Sequence, residues 1–316
     1  MSGVKYPEIQ RQLEDILLRD SRYRDHFLHQ FQVFLLGAYI IDKMYACKSK
    51  CLKDFKKKSG VPIENAWLFA STYHDFNYSI QRYDTWSQEF FSQALSTSCQ
   101  LSSLKLDSAF IRENFLLKTG EICELLGIEM DNVVMNFFFE QATMERNHGL
   151  LSALSLLKLF ENSGKSRMPR HALVQAALAI AIHDNGIWLH LSGKKDVNDK
   201  HTKPWNDNFA AMKVMENLTL QDYPLAFLLV FCDTVQEWGR VGGYYTTSLP
   251  LLEDIDVITN PFNIEVSISV KDNDSYQHKE DEIEQVAEFL KDNRFVIKLR
   301  SRTGNKEVKV PMEGTV

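Results

Sequence analysis

The stretch "RHALVQAALAIAIHDNG", residues 170–186, leaves the chain few choices of fold. Between Ala172 and Ile182 its one polar side chain is Gln175. A helix that is apolar nearly all round must be surrounded by other elements, so this segment reads as the buried centre of a helical bundle. It ends on His183 and Asp184, which delivers two polar side chains to the end of an apolar helix. Leaving such groups without partners costs several kcal/mol. Whatever satisfies them is therefore central to what the chain does.

Most of residues 5–257 reads as helix around that centre. "YPEIQRQLEDILL", "FLHQFQVFLLGAYIIDKMYA", "FIRENFLLKTGEICELLG" and "MERNHGLLSALSLLKLFENSG" repeat apolar residues at three- and four-residue intervals. Gly127, Gly164, Gly186 and Pro204 mark the breaks, and the lysine-rich "CKSKCLKDFKKKSG" reads as a solvated loop. After residue 258 the pattern changes. "FNIEVSISV" alternates like a strand, "QHKEDEIEQVAEFLKDN" is an amphipathic helix, and "RFVIKLRS" and "KEVKVPM" form two strands around "RTGN". The expected fold is mainly α: a helical domain over 1–257 and a small C-terminal β-α-β-β lobe over 258–316, with a structural or associative role for the lobe.

Composition narrows the function. Hydrophobic residues at 44% supply a substantial core, and a net charge of −6 argues against a dedicated nucleic-acid binder. No apolar stretch reaches the roughly 18 residues of a membrane span. The start "MSGVKYPEIQRQLED" has no secretory-signal pattern, so a cytoplasmic protein is expected. Its five cysteines are odd in number and lack a CxxC pair, which fits free thiols in a reducing compartment.

Histidine and aspartate recur on the apolar helices. His29 lies in "RDHFLHQFQVFLLG", His74 and Asp75 in "AWLFASTYHDFNYSI", His148 in "ERNHGLLSALSLL", His183 and Asp184 in "AIAIHDNG", and Asp233 in "AFLLVFCDTVQEWGR". His26 shares a helical face with His29 and is the alternative first member. So many polar groups on apolar helices call for a common satisfier. A pair of divalent metal ions is the simplest, because imidazole and carboxylate suit Mn, Fe, Co, Ni or Zn. Asp75, beside His74, is placed to bridge two ions.

In this order, H…HD…H…H(D)…D, the fragments resemble the HD-domain superfamily of metal-dependent phosphohydrolases in its two-metal form, over roughly residues 20–245. The resemblance implies an HD-type bundle with His29, His74, Asp75, His148, His183 and Asp233 as metal ligands, holding two ions among Mn, Fe, Mg, Ni and Zn. It implies catalytic roles for Asp75 and Asp184, with Asp184 either a general base or an orienting partner of a ligand imidazole. It also implies a metal-bridging water as nucleophile and a nucleotide or other small phosphoester as substrate. No nucleic-acid or membrane partner follows from it, and a homodimer is compatible with it.

Many members follow the His-Asp pair with a glycine and a phosphate-binding lysine; here "FNY" and "NGI" follow. Arg146, Lys194, Lys195 and Arg240 are the candidates for that role. A one-metal parsing uses only His148, His183, Asp184 and Asp233. The same six ligands also serve di-iron oxygenases of the superfamily, and a non-catalytic ligand-binding scaffold is the third reading. "VGGYYTTS" is no P-loop, and no GxSxG is present.

Overall fold

The computed structural model describes residues 26–95, 108–143, 147–163, 168–192, 217–236, 252–259, 263–270, 273–292, 294–301 and 304–309, with isolated positions 12, 15 and 215. The chain is mainly α-helical, with a small α/β lobe at its C-terminal end. Its helices are α1 (His26–Ala46), α2 (Lys50–Ser59), α3 (Ile63–Tyr73), α4 (Tyr78–Leu95), α5 (Ser108–Leu125), α6 (Asn132–Thr143), α7 (His148–Ser163), α8 (Arg170–His183), α9 (Asn185–Ser192), α10 (Pro224–Val235) and α11 (Asn273–Phe289).

Helix α8 is the centre that its sequence requires. Every residue from Ala172 to His183 except Gln175 is buried, and α7, α10 and α3 pack around it. Local chemistry fixes several boundaries. Gly60 ends α2 in a left-handed conformation (φ 79°) and returns its N–H to Lys56, a backbone form that glycine adopts without a Cβ penalty. The Asp131 carboxylate accepts the Val133 and Val134 N–H groups at the start of α6, and Asn147 accepts that of Leu150 at the start of α7.

Helix α1 crosses α3 at Gly37. A Cβ there would lie 2.0 Å from the buried Trp67 ring, whose indole N–H donates to the Phe34 carbonyl at 3.0 Å.

The lobe contains β2 (Leu252–Thr259), β3 (Ile264–Val270), β5 (Phe295–Arg300) and β6 (Asn305–Lys309), in the sheet order β2-β3-β5-β6. The central β3 and β5 are parallel and joined through α11, while β2 and β6 pair antiparallel at the edges. Two short strands, β1 (Leu218–Thr219) and β4 (Leu290–Lys291), pair parallel and tie the lobe to the segment before α10. Aromatic packing continues across the same junction. Trp188 stacks on Phe289 with centroids 4.6 Å apart, and Phe295 sits 4.8 Å from both Phe227 and Phe231. One hydrophobic core therefore runs from bundle to lobe.

The structure corrects the sequence reading at three places. "LEDIDVIT" is strand β2, so the expected division at 257/258 falls inside a strand and the lobe starts at Leu252. The lysine-rich "loop" is mostly helix α2, because Cys51, Leu52, Phe55 and Ser59 form a buried helical stripe beneath exposed lysines. The break after α8 occurs at Asp184, whose backbone is extended, while Gly186 lies within α9. "YPEIQRQLEDILL" (apart from Gln12 and Asp15), Gly164 and Pro204 lie outside the described residues. Among the described residues no helix is long and apolar enough to cross a membrane.

The Gly37 crossing is testable. Gly37→Ala is expected to lower the unfolding free energy by about 1–3 kcal/mol through overpacking, despite alanine's better helix propensity. Gly120→Ala, in α5 with nothing within 4 Å of its Cβ position, should instead raise it by about 0.5–1 kcal/mol. Chemical denaturation of both variants decides; equal shifts would refute the close contact.

Candidate metal centre

Five helices bring their ends or inner faces to one point. His29 comes from the inner face of α1, and His74 and Asp75 follow the last residue of α3. His148 opens α7, His183 closes α8, and Asp233 lies in the last turn of α10. Two local devices allow this convergence. At Gly149 a Cβ would stand 2.8 Å from the Ile180 carbonyl and 3.1 Å from His183 Cε1, so only glycine lets α7 close onto the end of α8. The turn after Asp75 is pinned to α7 by the Asn77 N–H donating to Ser152 Oγ and the Asn77 amide donating to Ser155 Oγ, both at 2.9 Å.

Each imidazole is oriented from behind. His74 Nδ1–H donates to the Ser71 carbonyl at 2.7 Å, and His183 Nδ1–H to the Ile180 carbonyl at 2.6 Å. His148 Nδ1 faces Gln81 Oε1 at 2.8 Å and Asp184 Oδ2 at 3.0 Å. His29 Nδ1 donates to Gln236 Oε1, and the Gln236 amide donates onward to Gln32 at 2.6 Å. With the protons held on Nδ1, all four rings turn an Nε2 lone pair inward.

Those lone pairs converge. His29 and His74 Nε2 are 3.3 Å apart, and His148 and His183 Nε2 are 3.2 Å apart. Asp75 lies between the two pairs: Oδ2 is 3.6 Å from both His29 and His74, while Oδ1 is 3.2 Å from His148 and 3.5 Å from His183. Asp233 Oδ1 adds contacts of 2.7 Å to His29 and 3.6 Å to His74. Groups of lone pairs at such separations repel unless a cation lies among them. The sets His29/His74/Asp233 and His74/Asp75/His183 each meet the distances for holding a metal ion. His148 Nε2 lies 3.2 Å from both Asp75 Oδ1 and His183 Nε2.

The electrostatics agree. Burial disfavours charge on Asp75 and Asp233, yet the surrounding histidines hold both carboxyl groups well below their ordinary range. Burial likewise opposes a charge on His148, but the Asp184 and Asp75 carboxylates carry its pKa up to about 10. His74 is raised in the same way, by Asp75 and Asp233 against its burial. The centre therefore favours positive charge, whether as protons or as metal. Asp233 is its most open member, with 29% of its side chain exposed against at most 13% for the other five ligand candidates.

All six ligand candidates thus come together. Asp184 lies behind His148, its Oδ2 3.0 Å from Nδ1, on the side of the ring away from the other ligand candidates. His26 takes a place of its own: its Nδ1–H donates to Asp75 Oδ2 at 2.8 Å, and its ring lies 3.9 Å from that of Tyr78. Arg146, Lys194, Lys195 and Arg240 lie outside the described residues. The sequence reading missed Gln81, Gln236 and Gly149. Gln236 had a visible signal, standing three residues after Asp233 at the end of an apolar helix; Gln81 had none. Comparisons with protein-family models, with curated proteins and with solved structures find no match to this chain.

Protons and metal compete for the same Nε2 lone pairs, so metal affinity should rise with pH and binding near neutrality should release protons. Asp184→Asn removes a carboxylate that holds the His148 pKa up, so it should reduce the number released. Calorimetry in buffers of different ionisation heat counts those protons; an affinity unchanged between about pH 6 and pH 8 would refute this electrostatic account. Gln236→Ala, which frees His29 to rotate, should weaken metal binding roughly 10–100-fold, read by equilibrium dialysis.

Proposed function

We propose that the chain is a metal-dependent phosphohydrolase of the HD type that holds two divalent ions. The observation carrying this reading is the division of Asp75 between two histidine pairs, with Oδ2 on one side and Oδ1 on the other. In this reading His29, His74, Asp233 and Asp75 would hold one ion, and His148, His183 and Asp75 would hold the other.

Four donors in one set and three in the other would leave room for water and substrate on such ions, as catalytic rather than structural sites do. The mixed imidazole and carboxylate donors favour Mn, Fe, Ni or Zn over Mg, which prefers oxygen ligands. When bound, such ions acidify water and neutralise phosphate charge.

The chain's own residues supply orientation. The Ser71 and Ile180 carbonyls, Gln81, Asp184 and Gln236 fix the four rings, and the His26 N–H holds the shared carboxylate. Asp184 acts through His148 and does not reach the reacting atoms in this reading. Substrate enters on the side of Asp233, the most exposed of the six.

The test is metal-dependent release of phosphate or nucleotide from a panel of aryl phosphates, nucleotides and cyclic nucleotides, after loading with manganese, iron, nickel or zinc. Turnover should follow metal content, and Asp75→Asn should lose both ions together with roughly a thousandfold or more of kcat/KM. Iron-loaded protein that consumes oxygen while leaving every phosphoester intact would replace this reading with an oxygenase. Failure to retain any metal would end it.

A further inference from the structure

Helix α1 has two apolar faces. The inner one builds the core and carries His29; the outer one is exposed, and no other described element packs over it. Phe27 is 44% exposed, Phe31 54%, Leu35 47% and Tyr39 43%, and Leu68 on the adjoining α3 is 44% exposed. Of the eleven exposed large hydrophobics among the described residues, six lie on α1, whereas those beyond α1 and α3 are scattered over four other elements. Isolated exposed apolar side chains are ordinary, but a contiguous set marks an interaction site.

We propose that this face is the seam of a homodimer in which the outer stripe of α1 packs against the same stripe of a second copy. Three observations select that occupant. First, from Phe27 to Tyr39 the outward positions are Phe, Leu, Ala or Tyr; the one Lys or Arg of α1, Lys43, is engaged with the Tyr39 ring at 4.8 Å and with Asp42 at 3.4 Å, so the stripe offers no charged row to a nucleic acid or an acidic peptide. Second, Phe27, Phe31, Leu35 and Tyr39 are spaced by four residues and form one ridge along the helix. Ridges of this type interdigitate with an identical ridge at a crossing near −50°, the commonest helix-pair geometry. A two-fold pairing also closes on itself and leaves no sticky face for fibre growth. Third, full burial of the four ridge side chains and Leu68 on both copies would remove on the order of 1,000 Å² from water, which reaches the floor for a specific interface. The proposal is independent of the metal chemistry, because the stripe faces away from the centre.

The experiment is sedimentation of the full chain over a concentration series, beside Phe31→Glu, Phe31→Lys and Leu35→Glu. Both positions are exposed, so the variants should keep their fold and metal content, with circular dichroism and metal analysis as controls. The parent should sediment as a dimer in the micromolar range, and each variant as a monomer. A pairing centred on the ridge puts the two-fold axis between residues 31 and 35, so mixing equal amounts of Phe31→Lys and Leu35→Glu should restore dimer. A monomeric parent, or a dimer indifferent to these changes, would overturn the proposal. So would a monomeric parent that binds neutral lipid vesicles through the same residues, which would make the face a lipid-contacting one.

Discussion

The arrangement of the bundle follows from an electrostatic need. Four imidazole nitrogens with inward lone pairs and two carboxylates meet in a space enclosed by apolar helices. Without positive charge among them the cluster would be costly to bury, and the strongly depressed carboxyl pKa values of Asp75 and Asp233 express how much the site favours that charge. The helices surrounding the centre serve this requirement in concrete ways. The end of α8 is held against α7 through Gly149, the turn after α3 is tied to α7 through Asn77, and α1 is drawn against α3 by the Gly37–Trp67 contact.

The parts of this organisation that were legible in the sequence share a property: they repeat or stand out against an apolar background. Helix α8 showed itself because eleven residues held one polar side chain, and its ends match the segment read from the sequence. The six ligand candidates were visible for the same reason, as isolated His and Asp on hydrophobic runs. Strand β2 was hidden because "LEDIDVIT" opens with the adjacent acids Glu253 and Asp254, which break the alternation of a strand, and its pairing with β3 carries a register shift at the same place. Helix α2 was hidden beneath its lysines, since three of its four inward positions lie within five residues and do not read as a stripe.

The orienting groups were the least legible. A backbone carbonyl such as that of Ser71 or Ile180 has no sequence signature at all. Gln81 is distant from His148 along the chain and meets it only because α4 packs on α7. These groups nevertheless decide which nitrogen of each ring faces inward, and so decide that the centre presents lone pairs rather than N–H donors. The same histidines without the Ser71 and Ile180 carbonyls and the Gln81 and Gln236 amides behind them would not be held with their lone pairs inward.

Helix α1 shows how one element meets two separate demands. Its inner face must place His29 over Asp75 and Asp233 while keeping Gln32 and Gln236 linked behind the ring. The reach of a hydrogen bond to a ring nitrogen tolerates only tenths of an ångström, so the helix must be held firmly along its length. Inside, α3 and α10 supply that support. Outside, no polar residue between Phe27 and Tyr39 ties the helix to solvent, and its aromatic ridge gains nothing from water. The inner face thus answers to the centre and is supported by α3 and α10. The outer ridge, exposed among the described residues, answers only to the cost of apolar surface in water.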